Sequence, residues 1–336
     1  MPTLAPPPVP PPPPSAPRWA GAVEPLLTIA LGTGMAAVAL GAKGGLQLQP
    51  LTTTEIVLNL LAGVLCAVAL LVGHSGRRAW GAGTVGLTAA FAVLTGVSIV
   101  WAIQPSAAWV EANRTITAFA VLATGVALVR LVPMRWRALL GGVLVASLLV
   151  SGFALLTKVF PAWLAEDETY GRLREPYEYW NAVGLTAALG LPPAIWLGAR
   201  RDGHAGLAAL AYPATGVLVL TILLAYSRGS LLAAAIGLGV WFAVTPLRLR
   251  SATVLLPSAL LGGIAAWWAF SQDGLSKDEI PLAIRSNAGT ELGVLLAVLV
   301  VLLLITGFFA SWLRDRRPRS QRTRRAWGIA FLVVLA

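Results

Sequence analysis

Apolar runs near 20 residues recur along nearly the whole chain, divided by short polar connections. They fall at 23–42, 56–73, 82–102, 114–132, 138–157, 182–199, 207–226, 231–247, 252–270 and 291–311. Each is long enough to cross a hydrocarbon core about 30 Å thick as a helix. The pattern predicts an all-α fold, a polytopic transmembrane helical bundle with about ten complete spans. A further apolar run begins at Trp327 and reaches Ala336, too short to cross. The expectation is a truncated eleventh span in a chain that is C-terminally incomplete. Residues 1–18 are dominated by proline, including Pro10 to Pro14. Such a segment is extended or disordered and has no apolar core of a signal peptide. The expected organisation is therefore a disordered cytoplasmic tail over 1–18 and one transmembrane domain over 19–336.

Composition agrees with this reading. The 336 residues are 57% hydrophobic and 12% charged, about half the charge of a soluble domain. Cys66 is the only cysteine and lies inside an apolar run, which leaves no internal disulfide and no cysteine metal site. No cofactor and no metal are expected. The net charge of +11 is accounted for by cytoplasmic loops rather than by nucleic-acid binding.

The arginines set an orientation. With the N-terminus inside, inner segments hold Arg18, Arg77, Arg78, Arg130, Arg135, Arg137, Arg200, Arg201, Arg248, Arg250 and the arginine-rich stretch from Arg314 to Arg325. Outer segments hold only Lys43, Arg114, Lys158, Arg172, Arg174, Arg228, Lys277 and Arg285, while most carboxylates fall outside. This is a positive-inside bias. It predicts a plasma (inner) membrane protein with a cytoplasmic N-terminus and its chemistry on the outer face. Pro192 and Pro193 interrupt the sixth span and are expected to kink it.

Arginines on the outer side run against that bias, so each asks for a reason. Arg228 stands in Tyr226-Ser227-Arg228-Gly229-Ser230, in a connection of a few residues. Ser227 or Ser230 can cap the following helix. The helix N-terminus and a guanidinium together make an anion site. A turn arginine that snorkels to water is the plainer alternative, and the residues leave both open. The long outer loop 161–181 mixes acids, arginines and aromatics. Aromatic faces suit sugar rings, and a carboxylate near an acceptor hydroxyl can serve as a general base. Asn181 reads as a plain N-cap of the next helix. In the last outer loop, 271–291, Arg285 is a further anion candidate. His74 and His204 fall in cytoplasmic loops.

Three stretches then resemble the O-antigen ligase and polymerase family, the Wzy/WaaL-like membrane glycosyltransferases. They are Ser98-Ile99-Val100-Trp101-Ala102-Ile103-Gln104-Pro105-Ser106-Ala107-Ala108, then Gly171-Arg172-Leu173-Arg174-Glu175-Pro176 with Tyr179-Trp180-Asn181-Ala182-Val183-Gly184, and Ser227-Arg228-Gly229-Ser230. The resemblance implies transfer of a glycan from an undecaprenyl-diphosphate carrier to an acceptor hydroxyl of a glycan or lipid. The transfer would take place on the outer face of the plasma membrane, among membrane lipids and without nucleic acid. It implies that Arg228 grips the diphosphate. Arg174, Arg172 and, more weakly, Arg285 would help, with Ser227 and Asn181 beside them. Glu175 or Glu178 would orient or deprotonate the acceptor. The family's histidine in a large later outer loop has no counterpart here. Two other classes compete: a transporter or exporter of an envelope precursor, and a non-catalytic envelope-assembly scaffold. A transporter should carry polar groups through the bilayer midplane. A scaffold gains weight if no outer histidine follows downstream.

Overall fold

The computed structural model of the chain describes residues 20–45, 47–72, 81–131, 136–201 and 204–316. The proline tail, His74 and the apolar run from Trp327 lie outside the described residues. The described residues contain helices and no strand. Ten long helices follow the ten predicted spans. They are α1 (Ala20–Ala42), α2 (Leu48–Val72), α3 (Ala82–Val97), α4 (Pro105–Leu131), α5 (Trp136–Val159), α7 (Trp180–Ala199), α8 (Ala205–Ala225), α9 (Arg228–Val244), α10 (Arg248–Ser271) and α12 (Leu282–Arg316). Two single turns, α6 (Pro161–Leu164) and α11 (Asp273–Ser276), lie in connections.

Eight of these helices are long and apolar enough to cross a membrane, and the chain is a multi-pass helical membrane protein. The other two are α4 and α9. α4 carries Glu111, Arg114 and Arg130. α9 has 17 residues, about 25 Å of helix.

Helix starts differ from the apolar windows. α2 begins at Leu48, so Glu55 lies inside the helix and is buried rather than in an outer loop. α4 begins at Pro105, and α12 at Leu282 behind Pro281, whose carbonyl takes the Ile284 and Arg285 N–H groups. Arg285, Asn287 and Glu291 are thus helical, not loop residues. Proline is preorganised for a helix start. Polar first turns can reach past the hydrocarbon into the interface, where a hydropathy window does not count them.

The most buried helices are α5, α7 and α8, with α10 and α12 against α8. Tyr212, Leu218, Leu220, Ile195, Leu292 and Leu303 are fully enclosed there. Between helices in lipid, packing rather than water exclusion drives contact, so small residues mark the seams. A Cβ at Gly307 of α12 would stand 2.5 Å from the Ala209 carbonyl of α8. α1 lies on α5, and α2, α3 and α4 form a flank. There Asn59 of α2 donates to Thr117 of α4 at 2.9 Å. α9 leans on α7 and exposes Leu232, Ile236 and Val240.

The connections that carry the candidate chemistry meet at one end of the bundle. Gln47 Nε2 donates to Glu178 at 3.1 Å and Arg114 donates to the Gly45 carbonyl at 2.8 Å. Leu173 N–H donates to the Leu224 carbonyl at 3.3 Å, and Glu279 N–H to the Thr169 carbonyl at 2.6 Å. His204 stands before α8 at the opposite end.

Candidate functional site

The connection between α5 and α7 is long but tied down along its length. Phe160 ends the run of α5, and Pro161 opens the single turn α6. Arg285 of α12 receives the chain as it leaves that turn, donating to the carbonyls of Ala165 (3.0 Å) and Glu166 (2.6 Å). Lys158 Nζ donates to the Tyr170 carbonyl at 2.9 Å. Asp278 accepts from the Gly171 N–H at 2.7 Å. Gly171 is required by this clasp, since a Cβ there would run into the Ser276 carbonyl. Leu173 is buried as an apolar pin.

Arg174 turns inward on the same loop. It donates through Nη1 to Glu168 (3.3 Å) and through Nε to the Glu178 carbonyl (3.3 Å), and it stacks on Tyr170 at 4.4 Å. Glu178 holds a left-handed backbone (φ 54°) while its carboxylate accepts from Gln47. Tyr177 shares a hydrogen bond with Thr186 at 3.1 Å; burial pushes its phenol pKa up, against that bond.

Glu175 is the distinctive carboxyl. Among the described residues its side chain has no hydrogen-bond partner. Burial raises its pKa, and Glu168 and Glu178 add to the rise, while Arg174 and Lys43 oppose it. A raised carboxyl holds a proton more firmly and makes a better general base. The stability consequence has a definite sign. Because folding favours the protonated form, the contribution of Glu175 is fully present below its unfolded pKa and is lost as pH rises through the folded value. Glu175→Gln is therefore expected to melt higher than the parent at pH 8. The gap should close as pH falls below the ordinary glutamate range. Melting curves of the detergent-solubilised pair across pH check this; a gap that widens on acidification would contradict it.

The α8–α9 turn builds the other half. Tyr226 takes the left-handed conformation (φ 48°, ψ 45°) that closes α8. Ser227 is the N-cap of α9, its Oγ accepting from the Ser230 N–H at 3.1 Å. Ser230 Oγ also lies 3.1 Å from the Asn181 carbonyl as its donor. A Cβ at Gly184 would come within 2.6 Å of that hydroxyl. The first turns of α7 and α9 thus stand side by side, and their positive dipole ends add. Ser227→Ala is expected to cost about 1 kcal/mol. A lowered melting temperature with unchanged membrane insertion is the readout, and an unchanged melting temperature would count against the cap.

Asn181 departs from expectation. Tyr179 is the N-cap of α7 and gives no side-chain cap. Asn181 lies in the first turn and donates to the Tyr179 hydroxyl at 2.6 Å. The Ala182 and Val183 N–H groups donate to the Tyr179 carbonyl, so of the first turn only the Trp180 and Asn181 N–H groups are open to an anion.

The four arginines separate by partner. Arg174 and Arg285 spend donors on the protein itself. Arg228 is exposed and, among the described residues, has no hydrogen-bond or ion-pair partner. Arg172 has no polar partner there either. Its guanidinium lies between the rings of Trp180 (4.9 Å) and Tyr226 (5.2 Å). This slot links the two helix starts, and nothing in the residue order announces it. Gln47 and the glycine hinge beside it were also silent in the sequence, where Lys43 counted only as one basic residue among others. Beside that hinge an open cavity of about 650 Å³ is lined by Lys43, Gln47, Gln49, Thr53 and Thr54. Among the described residues no group of three His, Cys, Asp or Glu side chains could hold a metal ion. No family model, no curated protein and no solved structure matches the chain.

Proposed function

We propose that this chain transfers a glycan from an undecaprenyl-diphosphate carrier to an acceptor hydroxyl, at the outer face of the plasma membrane. The observation that carries the reading is the unpartnered guanidinium of Arg228 beside two adjacent helix N-termini. A lipid-anchored diphosphate offers its charge at headgroup depth, where such a group stands. Arg172, between its two aromatic rings, is the second charge on the same face. Arg174 and Arg285 shape the loop rather than meet the substrate.

The reaction breaks the bond between the anomeric carbon and the diphosphate oxygen. The acceptor oxygen forms the new bond to that carbon, and undecaprenyl diphosphate leaves with the electron pair. The leaving diphosphate gains charge in the transition state, and a preset guanidinium with oriented N–H groups stabilises it. The acceptor proton goes to Glu175, whose raised proton affinity suits the role. Glu178, already engaged by Gln47, orients the neighbouring backbone.

The test is glycan transfer in proteoliposomes from an undecaprenyl-diphosphate oligosaccharide to an acceptor saccharide or lipid. Product should accumulate with release of undecaprenyl diphosphate. Movement of intact donor across the bilayer without bond cleavage would replace transfer by export. The orientation has its own check. In the Cys66→Ser background, a cysteine at Thr169 should react with an impermeant maleimide on intact cells, and one at Ser320 only after permeabilisation. Labelling of the Ser320 position from outside would invert the topology.

A further inference from the structure

Beneath the α5–α7 loop a small pocket is lined by four cationic residues, Lys158, Arg172, Arg174 and Arg285, around one carboxylate, Glu168. We propose that this pocket binds a single monatomic anion of chloride size, which locks the loop onto α5 and α12. The proposal stands independently of glycan transfer.

The donor inventory leads to it. Arg285 and Lys158 are about 9% and 8% exposed, so water satisfies little of either. Arg285 gives its two terminal nitrogens to Ala165 and Glu166, and its Nε–H is buried without an acceptor. Lys158 has three protons and gives one to the Tyr170 carbonyl. Arg172 also lines the pocket, but its guanidinium stacks between Trp180 and Tyr226, which do not. The acceptors are few. Glu168 Oε1 already takes both Arg174 and the Tyr170 N–H, and Asp278, behind the loop, takes the Gly171 N–H. The pocket is rich in donors, poor in acceptors and left with excess positive charge. Buried charge without a counterion is costly.

Size selects the occupant. The space open to the centre of a water-sized sphere is about 10 Å³, enough for one small occupant. A phosphate does not fit. A water fits but adds no charge. A monatomic anion accepts from several donors at once and offsets the charge.

The experiment is thermal unfolding of the purified, detergent-solubilised protein at constant ionic strength, with gluconate exchanged stepwise for chloride or bromide. The expected result is a melting temperature that climbs with halide and follows a binding isotherm. Phosphate at equal ionic strength should give no such rise. Arg285→Gln and Lys158→Met should each raise the half-saturating halide concentration about tenfold or more. Arg228→Gln should leave it unchanged. Crystals grown in bromide should show an anomalous peak within contact of Lys158 and Arg285, a readout that needs no variant. Equal melting in chloride and gluconate, a response to phosphate alone, or no bromide peak at the pocket would each overturn the proposal.

Discussion

Replacing Arg228 with alanine should slow glycan transfer roughly thirty- to a thousandfold, equivalent to about 2–4 kcal/mol of transition-state stabilisation. The protein should still insert and melt normally. Arg228 is exposed and bonded to nothing among the described residues, so its removal leaves no orphaned partner. Its value lies only in what it meets from outside. Arg228→Lys should fail nearly as badly, because an ammonium keeps the charge but loses the planar fork that engages two phosphate oxygens. Arg172→Lys should show a related loss, since the flat guanidinium fills a slot between Trp180 and Tyr226. Initial rates in proteoliposomes at matched protein level decide it. Parental turnover by Arg228→Ala would return Arg228 to the role of a turn residue that snorkels to water.

Gly44→Ala should be among the most damaging single-methyl changes outside the helices. The hinge between α1 and α2 runs through three residues of positive φ, Lys43, Gly44 and Gly45. An alanine at Gly44 meets two penalties. Its backbone (φ 69°) is one that L-residues adopt at a cost of about 1–2 kcal/mol. Its methyl would also overlap the Tyr177 carbonyl, a backbone atom that cannot swing aside. Overpacking of that kind adds about 1–3 kcal/mol. Gly45→Ala separates the two effects. It has nearly the same dihedral (φ 71°), but its Cβ would find only Leu51 Cδ1 at 3.5 Å. Melting temperatures should therefore fall in the order parent, Gly45→Ala, Gly44→Ala. Equal melting of the two variants would show that the loop gives way freely at Tyr177. Because Gln47 of the same hinge bonds Glu178, Gly44→Ala should also disturb the segment that carries Glu175.

The sequence by itself determined the order and approximate placement of the long helices, because a membrane imposes a one-dimensional rule: an apolar run of sufficient length becomes a helix wherever it stands. It also narrowed the cap of α9 to Ser227 or Ser230, since such a bond closes within a single turn, and the structure chose Ser227. Which of the four candidate arginines at this end of the bundle is free was decided only by the tertiary structure. Arg172, Arg174, Arg228 and Arg285 carry the same charge in the same half of the chain. Arg285 is occupied by carbonyls 119 and 120 residues away, and Arg174 by a loop whose course depends on Asp278 and Lys158. Glu55 likewise reads as a loop acid until α2 is seen to begin before it. A side chain's charge is local, but its partners are set by which helix ends the packed bundle brings together. In this chain those ends come from connections far apart in sequence.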